Sequence, residues 1–115
     1  MALPEQSAMP QTNGKTTARP DIGGIGDGRK TVATAATAEA LVAASTPAKY
    51  VIITAESDNT GVIVVGGSTV VAALATRRGI PLAAGKSMAF AVDDLADVYL
   101  DTTVNGDGVT FLYLN

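Results

Sequence analysis

The chain contains no cysteine, no histidine and no tryptophan among its 115 residues, and only two phenylalanines and three tyrosines. Without cysteine there are no disulfides, thiolate metal ligands or thiol nucleophiles; without histidine the commonest general base is missing. Most enzyme mechanisms are thereby excluded, and no Ser, Lys or Tyr has a plausible activating neighbour in the sequence. The scarcity of aromatic rings leaves few side chains to wall a deep stacking pocket. The lack of cysteine also fits folding in a reducing cytoplasm. No apolar run reaches the roughly 18 residues of a membrane span, and the N-terminus lacks the basic-then-apolar layout of a signal peptide. The expectation is a soluble protein made in the cytoplasm, with no membrane partner.

What is present is Ala- and Val-rich. Apolar residues make up 47% of the chain, enough for one domain with a modest core. The net charge of −3 is unevenly divided. Residues 1–30 carry Lys15, Arg19, Arg29 and Lys30 against three acids, whereas residues 31–115 carry four basic residues against eight acids. Nothing is basic enough to hold a nucleic-acid backbone by counterion release, so no nucleic-acid partner is expected.

The stretch Tyr50 to Gly67, YVIITAESDNTGVIVVGG, organises the rest. Two β-rich runs, Tyr50–Ala55 and Val62–Val65, flank Asp58-Asn59-Thr60-Gly61, whose residue types favour a tight turn with positive φ at Gly61. This predicts a hairpin with residues 50–55 and 62–65 in the core. Both of its faces are apolar, since Val51, Ile53 and Ala55 interleave with Tyr50, Ile52 and Thr54. A chain this short has little left to cover the second face, which leaves two readings open: capping by its own loops, or cover by another protein surface.

Residues 1–30 hold three of the five prolines and five of the twelve glycines without apolar periodicity, and predict an extended N-terminal arm ahead of a domain over 31–115. Gly23 to Gly28 superficially resembles a phosphate-binding loop, but neither the preceding strand nor the following helix is readable, so it is taken as a hinge. Residues 30–35 and 39–44 favour short strands. Ser68 to Ala73 reads as a further strand, then a loop carrying Thr76-Arg77-Arg78-Gly79 and an extended link from Ile80. Lys86–Val92 alternates cleanly, with Met88, Phe90 and Val92 on its inner side. A short turn at Asp93–Ala96 precedes a strand over Asp97–Asp101. Asn105-Gly106 is the strongest hairpin signal, leading into a last strand over Val109–Leu114. Six to eight short strands with turn signals every 8–12 residues predict an all-β fold, a small antiparallel β-sandwich or jelly-roll-like barrel.

The acids Asp93, Asp94, Asp97, Asp101 and Asp107 cluster in the C-terminal third. Paired carboxylates could hydrolyse a glycoside and oxygen clusters can bind calcium, but alternation puts Asp97 and Asp101 opposite Val98 and Leu100, so a solvated face with turn caps is the simpler expectation. No catalytic residue, cofactor or metal site is assigned. Arg77 and Arg78 suit a bidentate grip on a partner's carboxylates.

The arm, the SDNTG turn (Ser57 to Gly61), the VIVVGG strand end (Val62 to Gly67), the GIPLAAGKS link (Gly79 to Ser87) and the closing VDDLADVYLD and NGDGVTFLYL segments together resemble small structural proteins of tailed-bacteriophage virions, most of all capsid decoration, or cement, proteins. The resemblance covers about residues 48–114. It implies a non-enzymatic protein on the capsid surface of the virion, made in the host cytoplasm, that binds and stabilises an assembled shell. Its implied partners are the major capsid protein and neighbouring copies of itself, as a homo-oligomer. The arm would then place Leu3, Met9, Ile22 and Ile25 in apolar grooves of those partners. Tail and head fibres use related β-sandwiches as receptor- or carbohydrate-binding modules, an alternative that exposed tryptophan or tyrosine would favour and the absence of tryptophan weakens.

Overall fold

A computed structural model describes residues 21–115; Leu3, Met9 and the rest of residues 1–20 lie outside the described residues. The described chain is all-β, with eight strands: β1 Ile25–Thr31, β2 Glu39–Ala40, β3 Tyr50–Ala55, β4 Ile63–Gly66, β5 Ile80–Leu82, β6 Ser87–Ala91, β7 Tyr99–Thr102 and β8 Gly108–Leu114. Single 3₁₀ turns occupy Leu74–Thr76 and Leu95–Asp97. The strands form two four-stranded antiparallel sheets, ordered β1-β8-β3-β6 and β2-β7-β4-β5.

β6 alternates cleanly in sequence, and β3, apolar on both faces, alternates in burial as the pleat requires. Val51, Ile53 and Ala55 point into the sandwich and are buried, with Met88 and Phe90 of β6 half-buried against them. From the second sheet Ile63, Val65 and Leu100 close the core, with Leu95 filling one end. Each such burial contributes about 1.5–3 kcal/mol, which makes this layer the main source of stability.

Strand pairing departs from the expectation. β3 and β4 lie in different sheets, and so do β7 and β8, so neither the SDNTG nor the Asn105-Gly106 segment closes a hairpin. Six of the seven connections switch sheets; β4 and β5 alone are consecutive and paired. The turn residues serve arches over the end of the sandwich instead. Asn59 bridges to β8, its amide donating to Gly108 O and its oxygen accepting from Gly108 N, both at 2.9 Å. The buried Asp107 carboxylate accepts from Thr60 N at 3.1 Å and Gly61 N at 2.7 Å, locking one arch onto the other. Gly61 does not take the positive φ expected of it; it is small because Thr103 Oγ1 approaches where a Cβ would stand. Of the Asn105-Gly106 pair only Gly106 has φ above zero, at 89°.

The boundary drawn at residue 30 and the hinge placed at Gly23 to Gly28 are also corrected. Ile25–Thr31 is a full strand, paired along its whole length with β8 from Gly108↔Thr31 to Leu114↔Ile25, and so belongs to the body. Its glycines have a packing reason: a Cβ at Gly26 or Gly28 would stand 2.3 or 2.5 Å from the rings of Tyr113 and Phe111, which lie over them. Segment 67–73 is loop rather than strand, and the strand expected over 39–44 shrinks to the two residues of β2.

Candidate interaction surfaces

Two surfaces on opposite layers of the sandwich present apolar side chains to solvent. The first is the outer face of the β1-β8-β3-β6 sheet. Its register sets the outward side chains in three rows: Ile25, Leu114, Tyr50 and Ala91; then Asp27, Leu112, Ile52 and Ala89; then Arg29, Thr110, Thr54 and Ser87, all exposed but the half-buried Leu114 and Thr54. Ile25 is 70% exposed, Ile52 40% and Leu112 39%. The third row is polar, with Thr54 and Ser87 hydroxyls 2.6 Å apart and Arg29 paired with Glu56. Ile22 is also exposed and lies just before this face, where Gly23 N and Gly24 N donate to Asn115 O.

The two-faced apolar pattern at Tyr50 to Val65 therefore has two explanations. On β4, Ile63 and Val65 enter the main core while Val64 points the other way and is covered by Val70 and Ala72 of the chain's own loop. On β3, Tyr50 and Ile52 stay uncovered within the described residues.

The second surface is the tip of that covering loop, residues 73–80. Leu74 is 80% exposed, the most exposed large apolar side chain among the described residues, with Ile80 and Arg78 also exposed near it. The tip is braced from below. Asp101, 1% exposed, accepts from Ala72 N at 2.8 Å and from Thr102 N at 2.8 Å. Arg77 donates through Nε at 3.0 Å and Nη2 at 2.8 Å to Ala72 O. Val71 and Arg78 exchange two backbone hydrogen bonds, of 3.1 and 2.9 Å. Between Ser68 and Val92 there is no acidic residue, against Arg77, Arg78 and Lys86.

The paired-arginine expectation is thus divided: Arg77 is occupied within its own loop and Arg78 is exposed. Ile22 and Ile25 fall on the opposite layer. Asp101 does not lie on a solvated face, because the 67–78 loop covers that side of β7; Asp107 is buried as well. Leu74 was missed, since an isolated leucine among alanines has no periodic signal.

The remaining acids are dispersed, and among the described residues no group of three or more His, Cys, Asp or Glu side chains converges. Asp94 caps the Leu95–Asp97 turn through Ala96 N at 2.9 Å and accepts from Ser45 Oγ and Thr46 N. Those bonds, the Ser45 hydroxyl first, hold its carboxyl below the usual range. Glu56 and Asp58 line one open cleft beside Arg29. The Arg29 guanidinium holds the Glu56 carboxyl low, opposite to the shift a general acid needs. At Glu39 burial pushes upward, but hydrogen bonds from Lys30 and the Thr34 and Ala33 amides outweigh it and the carboxyl titrates low.

Comparison with protein-family models, with curated proteins and with solved structures gives no match.

Proposed function

We propose that this chain is a non-enzymatic virion structural protein that docks on an assembled phage capsid and stabilises it, with the major capsid protein and neighbouring copies as its partners. The observation that carries the docking part of this reading is Leu74. An 80% exposed leucine on a loop tied down by a buried carboxylate and a double arginine bond has no role in its own core. Rigidity before contact lowers the ordering cost of binding, which is what a small anchor without tryptophan requires. The virion setting rests on the resemblance of the segments quoted from the sequence.

Repetition over a shell multiplies a weak contact through avidity. Leu3 and Met9, given a share in this contact by the sequence alone, lie outside the described residues. The test is to mix the purified full chain with assembled phage heads that lack it, and to follow saturation and the melting of the shell. Saturable binding at symmetry-related positions with a raised shell melting temperature is expected. Absence of binding to heads, or saturable binding to host glycans in their place, overturns the reading.

A further inference from the structure

We infer that the outer face of the β1-β8-β3-β6 sheet is a self-association surface, closed by the same face of a second copy about a two-fold axis running parallel to the strands between β8 and β3. This deepens the part of the proposed function that names neighbouring copies as partners, and stands or falls separately from docking on the shell.

The face is self-complementary about that axis and about no perpendicular one. Rotation about an axis along the strands keeps each row opposite itself and exchanges β8 with β3 and β1 with β6. Leu112 then lies over Ile52 of the second copy, Leu114 over Tyr50, and Thr110 over Thr54, so apolar meets apolar and hydroxyl meets hydroxyl. At the margins Asp27 lies over Ala89 and Arg29 over Ser87, so both charges face small side chains and keep a path to water. An axis across the strands instead reverses the row order. It sets Asp27 against Asp27 of the second copy, Arg29 against Ile25 and Thr110 against Leu114. Like charges and polar-on-apolar contacts disfavour that arrangement. Sheets pack face to face with strands nearly aligned, about 10 Å apart, which the first arrangement satisfies.

The size of the face sets the strength. Four strands and three rows span roughly 20 by 20 Å at ordinary sheet spacings. That is about half the area each partner buries in a standard stable interface. The dimer is therefore weak in dilute solution, with a dissociation constant on the order of 0.1–1 mM, and strengthens wherever copies are held side by side.

Sedimentation equilibrium of the full chain from micromolar to millimolar concentration should show a monomer–dimer equilibrium in that range. Leu112→Lys and Ile52→Lys, both at solvent-facing positions, should each abolish it while leaving the melting temperature unchanged. Thr110→Val with Thr54→Val should tighten it by about tenfold or more. Because the chain has no cysteine, Ile52→Cys and Leu112→Cys chains can be mixed and treated with a short bismaleimide; heterodimers should form faster than either homodimer. A monomer up to 1 mM overturns the inference, as does association insensitive to the lysine variants. Faster coupling of Leu112→Cys chains to one another overturns the axis. If the full chain is monomeric and hydrogen exchange at β3 and β8 rises when residues 1–20 are removed, those residues are the occupant and the second copy is not.

Discussion

Asp101 and Ala72, 29 positions apart, are joined by a buried hydrogen bond in which the Asp101 carboxylate accepts the Ala72 N–H at 2.8 Å. Arg77 takes the carbonyl of the same residue, so Ala72 is held through both its N–H and its carbonyl. Replacing Asp101 by Ala leaves the Ala72 and Thr102 amides without an acceptor in a buried site. Each lost bond to a charged group costs about 1.5–3 kcal/mol, with partial relief if water enters. The expected loss is about 2–4 kcal/mol in denaturant unfolding, with faster exchange of the Ala72 amide. Unchanged stability would mean that the loop is held by other contacts.

The arches give a second prediction. A methyl at Gly61 would stand 2.3 Å from Thr103 Oγ1 and 2.8 Å from Val104 Cγ2. Gly61→Ala should destabilise by about 1–3 kcal/mol through overpacking, and adding Thr103→Ala should recover part of that loss. Additive losses in the double variant would show that the two arches do not touch there.

Acid should weaken the fold through named carboxylates. Asp94 and Glu56 titrate below their ordinary values of 3.8 and 4.5 because hydrogen bonds favour their charged forms. The unfolded chain therefore binds protons first as pH falls. The stability these groups contribute is complete above about pH 4.5 and is lost as pH drops through their depressed values. Denaturant midpoints measured from about pH 7 to 2 should fall on that limb, and Asp94→Asn with Glu56→Gln should flatten it. A limb of the same depth in the double variant contradicts this assignment.

The all-β class was legible in the short β-rich runs between turn residues, β3 and β8 through their β-branched and aromatic content and β6 through its clean alternation. Which strands pair was not, because turn chemistry is local. Asp58 to Gly61 and Asn105-Gly106 bend the chain equally well into a hairpin or into an arch between sheets. β1 was illegible because Gly26 and Gly28 lower strand propensity, and only the Tyr113 and Phe111 rings from β8 explain them. Alternation alone places Asp101 on a solvated face, because it distinguishes the two faces of a strand but not whether another loop covers the outer one. Of the candidate contact residues, Ile22, Ile25 and Arg78 are exposed, while Arg77 serves its own loop.

The central claim is that the braced tip is an anchor for an assembled shell, and one comparison tests it most directly. Leu74→Ser and the unaltered chain are titrated side by side onto phage heads that lack the protein. Leu74 touches no core, so folding stability should stay within about 0.5 kcal/mol of the original. Burying a leucine at a partner contributes about 1.5–3 kcal/mol, so affinity for the heads should fall at least tenfold. Equal decoration of the heads by both chains would contradict the account.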